Sequence, residues 1–193
     1  ERGVSISSNQ GSSWHDPQNL NDLSDVKISG FMNGKSLFYA YGSGLYSFSG
    51  SSWNMIDTTQ IVSLVEGISG RLFMSRQTTD PIEGIGGLYI SDNGGNDWQP
   101  ILTFQNTIDT EYYFLPHCLS SHGGTIVAVQ RALAFQTFTD RYFIYCSNDN
   151  GTSWHSIETT NSPSFVYYAD NVFYLGTYGG GLLRSIDDGT TWI

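Results

Sequence analysis

All five tryptophans of this 193-residue chain close the same short pattern. Four copies read Ser-x-Asp/Asn-x-Gly-x-x-Trp: Ser7, Asn9, Gly11 and Trp14; Ser91, Asn93, Gly95 and Trp98; Ser147, Asp149, Gly151 and Trp154; Ser185, Asp187, Gly189 and Trp192. The stretch before Trp53, SFSGSSW, is one residue short and lacks the acid, so it counts as a degenerate copy. Each position has a physical task. An Asp or Asn side chain accepts hydrogen bonds from backbone amides a residue or two ahead and folds the chain into a turn. Glycine supplies a positive φ where the turn demands one. The serine hydroxyl ties the strand end to that turn, and the tryptophan ring packs beneath the hairpin as a plug. A self-stabilised hairpin turn that recurs marks a recurring hairpin. A calcium loop fits less well, because SNDNG has no following Glu at the ligand position and gives the Trp no place.

The pattern resembles the Asp-box, or bacterial neuraminidase repeat, and the resemblance runs from Ser7 to Trp192. It implies a β-propeller with the box between the third and fourth strands of each blade. Sialidases, xyloglucan-cleaving glycosidases, sortilin-type receptors and photosystem assembly factors share the box. In all of them it is structural, so it implies a fold and no chemistry.

The tryptophans are 39, 45, 56 and 38 residues apart, which suits one four-stranded blade per repeat. The expected fold is all-β: a propeller of four-stranded antiparallel blades, four complete and the outer half of a fifth. The blades fall near residues 1–18 (partial), 19–57, 58–102, 103–158 and 159–193 of a single domain. Each second strand (SLFYAYG, RLFMSRQ, TIVAVQR, NVFYLGTY) is nearly continuously apolar, as a strand buried on both faces should be. GLYSFS, GLYISD, YFIYCSND and GLLRSID align as third strands. The first blade has only GVSIS and a short WHD, leaving an unpaired strand edge. Further strands after the chain, flanking blades of a longer polypeptide, or strands from a neighbouring molecule would each cover it, the last building an oligomer or fibre.

Composition narrows the partners. Eight basic residues face eighteen acidic ones, a net charge of −10, which repels nucleic acid and anionic lipid. No apolar run approaches the ~18–20 residues of a membrane span. Residues 1–10 hold no apolar signal core, so an export signal would have been removed or would lie outside the chain. Two lysines among many Ser, Thr, Asn and Tyr residues suggest an extracellular or cell-surface setting. The expected partners are a protein or glycan ligand, with homo-oligomerisation through the open blade, and no cofactor or metal is implied.

Strand alternation puts the box turns on one end of the propeller and the longer loops on the other, where binding residues usually lie. The candidates there are Arg76, Asp80, Glu83, Phe135, Phe138, Asp140 and Tyr178. The aromatics can stack on sugar rings or pack against a protein. In an alternative reading, Asp80 and Asp140 would flank a glycosidic bond as paired carboxylates. The sialidase resemblance would require an early Phe-Arg-Ile-Pro motif, which is absent, and the catalytic aspartates of the xyloglucanases find no matching positions. His117, Cys118 and His122 lack a fourth ligand at zinc-like spacing. Cys118 and Cys146 are expected on strands separated by a third, about 9–10 Å apart and beyond disulfide reach. Asn150-Gly151-Thr152 is an N-glycosylation sequon inside the fourth box.

Overall fold

A computed structural model of the chain describes residues 5, 7–15, 26–32, 35–40, 44–48, 53–77, 85–105, 112–134 and 140–193. Four antiparallel meanders follow one another. The first sheet holds β1 (Val26–Met32), β2 (Lys35–Ala40), β3 (Gly44–Phe48) and β4 (Trp53–Asp57) in chain order. The second holds β5 (Gln60–Glu66), β6 (Leu72–Gln77), β7 (Ile85–Ser91) and β8 (Gln99–Gln105). The third holds β9 (Tyr112–His122), β10 (Thr125–Ala134), β11 (Asp140–Ser147) and β12 (His155–Thr159). The fourth holds β13 (Ser162–Ala169), β14 (Val172–Tyr178) and β15 (Gly181–Ser185). One 3-10 turn, Ile68–Gly70, is the sole helical element among the described residues.

The last sheet departs from expectation. A complete fourth blade requires a fourth strand here, yet Arg184 and Ile193 exchange just one pair of backbone hydrogen bonds, at 2.8 and 3.0 Å. That is a first rung without a ladder. At the other end of the chain, the strand expected over GVSIS falls largely outside the described residues, and only the turn 7–15 is seen.

The core lies between sheets and not within a closed sandwich. Successive residues of a strand point to opposite faces, so each second strand serves two interfaces. Leu72 and Met74 face the first sheet, packing with Leu45, Ile61, Leu64 and Tyr89. Phe73, between them, faces the third sheet with Leu88, Leu119, Ile126 and Ala128. Val127 and Val129 then face the fourth sheet with Ile144, Val166, Phe173 and Leu175. Phe73, Met74 and Leu72 are wholly buried, as are Ile126 and Val127, which accounts for the continuous apolar runs in β6 and β10. The first strands also meet: Ser63 Oγ accepts from Leu119 N–H at 3.2 Å, and Ser121 Oγ donates to Glu66 O at 2.6 Å. Sheets stacked face to face with their first strands in mutual contact fan around a common inner edge.

Candidate functional site

The four turns of the recurring pattern share one hydrogen-bond geometry. In each, the serine hydroxyl donates to the acidic or amide side chain two residues on and accepts from the glycine N–H four residues on. For Ser147 these bonds are 2.8 Å to Asp149 and 2.8 Å from Gly151; for Ser185, 2.8 Å to Asp187 and 2.8 Å from Gly189. Ser7 and Ser91 repeat them with Asn9, Gly11, Asn93 and Gly95. The side-chain oxygen at the third position reaches further than expected. It accepts the backbone N–H four residues ahead, not one or two: Ser13, Asp97, Ser153 and Thr191. The glycines sit at φ between +83° and +86°, which sterically favours a residue without Cβ. The residue before each also has positive φ, from 54° at Asp188 to 71° at Gly94.

The tryptophans are lids on these turns more than interior wedges. Trp98, Trp154 and Trp192 are half-buried, each indole N–H donating at 3.1 Å to the carbonyl of its own turn glycine. Trp14 is 64% exposed, against the expectation of a buried plug. The side chain of Trp53 lies outside the described residues.

The strongly shifted carboxylates belong to these turns. Hydrogen bonds from the hydroxyl and backbone of Ser153, and from Ser147, hold Asp149 down at about 2. Thr191 and Ser185 do the same for Asp187, also to about 2. Each stabilises an anion that the turn itself consumes. Cys146 is pushed up to about 12 by burial and by the nearby Asp188 and Asp187, so it is an inert core thiol. It forms no disulfide with Cys118, and β10 runs between their strands.

At the opposite end, Asp80, Glu83, Phe135 and Phe138 lie outside the described residues. Arg76, Asp140 and Tyr178 are seen. The Arg76 guanidinium stands 4.7 Å over the Tyr89 ring, a cation–π contact. Asp140 has both oxygens occupied: Oδ1 accepts from Arg131 Nε at 2.9 Å, and Oδ2 from the Tyr142 hydroxyl at 3.0 Å. On the other face of β11, Arg141 grips Glu158 with two nitrogens and lies 5.2 Å from the Phe143 ring. This ion pair lowers the Glu158 pKa. Tyr178 ends β14 beside the turn to β15 and is 72% exposed. Between the second and third sheets, Ser75, Gln130 and Tyr145 line a cavity of about 20 Å³. It has room for one water and none for a sugar ring. Among the described residues, no group of three His, Cys, Asp or Glu side chains is placed to hold a metal.

No protein-family profile matches the chain, and no curated protein does. Solved structures do. One is a nidogen/laminin complex, with 13% identity, TM-score 0.61, and coverage of 99% of this chain and 71% of that one. A second is an α-L-arabinanase of Penicillium chrysogenum bound to arabinobiose, with 16% identity, TM-score 0.58, and coverage of 98% and 71%. A third is an ancestral GH74 enzyme, with 15% identity and TM-score 0.50, where 99% of this chain spans 35% of that one. The fold is a β-propeller. Its blades are the four stacked sheets; the turns 91–98 and 147–154 join the third and fourth strands of their blades, and 185–192 follows the third strand of the last. At these identities the likeness shows architecture alone.

Two groups of residues in this propeller carried no signal in the sequence. Arg71 pairs with Asp92 at 2.6 Å and donates to the Asn150 carbonyl at 3.0 Å, so it joins two blades. Its short loop, ISGR, reads as a plain turn. Phe165, Tyr167 and Leu182 are exposed on the outer face of the last blade. Apolar patterning reports what a face is suited to cover, not whether a neighbour is present.

Proposed function

We propose that this propeller is a recognition and scaffolding module of the cell surface or extracellular space. It engages protein or glycan through aromatic side chains and does not turn over a substrate. The observation that carries this reading is the contrast between Asp140 and Tyr178 at the long-loop end. The acid is tied on both oxygens by Arg131 and Tyr142, while the ring is open to solvent. A hydrolytic acid or nucleophile needs an oxygen free to reach the glycosidic bond; a stacking platform needs only an exposed ring face. The common geometry of the four turns supports assigning them to the Asp-box class, whose role is structural. Two similar folds fit either ligand class, since one belongs to a nidogen/laminin complex and another is complexed with arabinobiose.

The test measures release of reducing sugar from arabinan and xyloglucan, and binding to the same polysaccharides and to extracellular-matrix proteins. The expected result is no release, with binding lost in Tyr178→Ala and kept in Asp140→Asn. Sugar release by the unaltered chain that falls by about 10²-fold or more in Asp140→Asn, the scale of a lost general acid–base, establishes the hydrolase instead.

A further inference from the structure

Two polar side chains interrupt the apolar faces where the second and third blades meet. Side chains alternate along a strand, so Ser75 shares the face of β6 that carries Phe73, and Gln130 shares the face of β10 that carries Ile126 and Ala128. That joint is otherwise an apolar cluster of Phe73, Leu88, Leu119, Ile126 and Ala128. Ser75 and Gln130 are each only 3% exposed. Ser75 Oγ, Gln130 Oε1 and Gln130 Nε2 have no hydrogen-bond partner among the described residues. Buried polar atoms are rarely left so in folded proteins, because each has given up its bonds to solvent.

Both side chains line the cavity of about 20 Å³ between these blades, and its walls hold no charged residue among those described. The walls select the occupant. A cation needs acceptors alone, and Gln130 Nε2 is a donor. An anion would be buried without a positive charge beside it, at a large desolvation cost. A neutral molecule that both donates and accepts suits the amide and the hydroxyl together. The volume admits one water, which needs about 10–15 Å³ by the same measure.

We propose that this cavity is a binding site for a single water molecule that bridges the second and third blades. The water accepts from Gln130 Nε2–H and donates one O–H to Oε1 of the same amide. Its other O–H donates to Ser75 Oγ. That makes three hydrogen bonds, the usual number for a buried water, and it gives each of the three orphaned atoms a partner. Ser75 and Gln130 do not bond each other directly, so the water supplies the polar link between their strands. The site is independent of the ligand reading, which rests on Asp140 and Tyr178.

Two measurements test it. A crystal structure of the unaltered chain should show one solvent peak at hydrogen-bond distance, about 2.7–3.2 Å, from both Ser75 Oγ and the Gln130 amide. Oxygen-17 relaxation dispersion of the solvent counts waters held for longer than the protein takes to tumble. Its amplitude should fall by one water in Gln130→Met, which keeps the length of the side chain and removes both amide atoms. The crystal structure decides the matter if that variant does not fold. Four results overturn the proposal: a cavity without density; a cavity closed by a direct bond between Ser75 and Gln130; an occupant other than water; or an amplitude that the folded variant leaves unchanged.

Discussion

Asn150 and Ile68, 82 residues apart in the chain, exchange two hydrogen bonds: the Ile68 N–H donates to Asn150 Oδ1 at 3.2 Å, and Asn150 Nδ2 donates to Ile68 O at 3.4 Å. The side-chain amide imitates a strand neighbour and latches the third blade's turn to the loop after β5. Gly67 makes room for it, since a Cβ there would collide with Asn150 Oδ1. Arg71 reinforces the latch through the Asn150 carbonyl.

Replacing Asn150 by Gly retains a residue that accepts its φ of 55° and removes only the latch. The expected loss is about 1–2 kcal/mol, two modest hydrogen bonds with one polar end left poorly paired, read from urea unfolding midpoints. The same Nδ2 is the acceptor atom of the sequon. A glycan there competes with the Ile68 bond, so a glycosylated fraction should melt below the unmodified protein.

Acid should weaken the fold in a defined window. Asp149 and Asp187 have folded pKa values of about 2, below the ordinary value of 3.8. The unfolded chain therefore takes up protons first. The stability these groups contribute is complete above about pH 4 and is lost as pH falls through 2. Asn9 and Asn93 hold the equivalent positions without titrating, and Asn9 Nδ2 donates to Ser13 Oγ at 2.8 Å. Ser153 can accept from an amide in the same way. The double variant Asp149→Asn, Asp187→Asn should show a flatter dependence of the urea midpoint between pH 5 and 2. Asn93→Asp should do the reverse at neutral pH, because Asn93 Nδ2 now donates to Asp97 Oδ2 at 2.7 Å and a carboxylate there would face another. Its melting temperature should drop at pH 7 and recover in acid.

The two ends of the chain separate structural from exposed indoles. Trp98 closes over Gly95, bonds its carbonyl and packs against the cluster of Leu45, Leu72 and Met74. Trp98→Ala should cost about 2–3 kcal/mol, below the ~3–5 of a fully buried ring. Trp14→Ala should cost under about 0.5 kcal/mol, as exposed substitutions do. Equal losses at the two positions would mean that the first turn is packed like the others.

Strand placement was legible because two local signals agreed: turn chemistry at fixed offsets and apolar runs between them. RLFMSRQ, TIVAVQR and NVFYLGTY all lie on strands where expected. The inter-blade joints were not legible. Nothing about Arg71 or Asn150 in its own stretch says that 79 residues separate partners. The loop acid Asp140 reads in sequence as a free carboxylate, and only β-register places Arg131 and Tyr142 opposite each other beside it. Tryptophan burial also depends on the neighbouring blade, which is why four like motifs give three half-buried rings and one exposed.

The turn glycines couple blades, and a double-mutant cycle should measure it. Gly151 lies against Phe73 with φ at +85°. An alanine there meets two separable penalties. Backbone strain at positive φ costs about 1–2 kcal/mol whatever the neighbour, and overlap with the Phe73 ring adds about 1–3 kcal/mol. Phe73→Leu removes the offending ring atoms at a cost of its own, since Phe73 is wholly buried. Combined, the two substitutions should destabilise less than the sum of their separate effects by about 1–2 kcal/mol, the scale of contacting pairs. The strain component should remain in both backgrounds. Strict additivity would mean that ring and glycine do not touch.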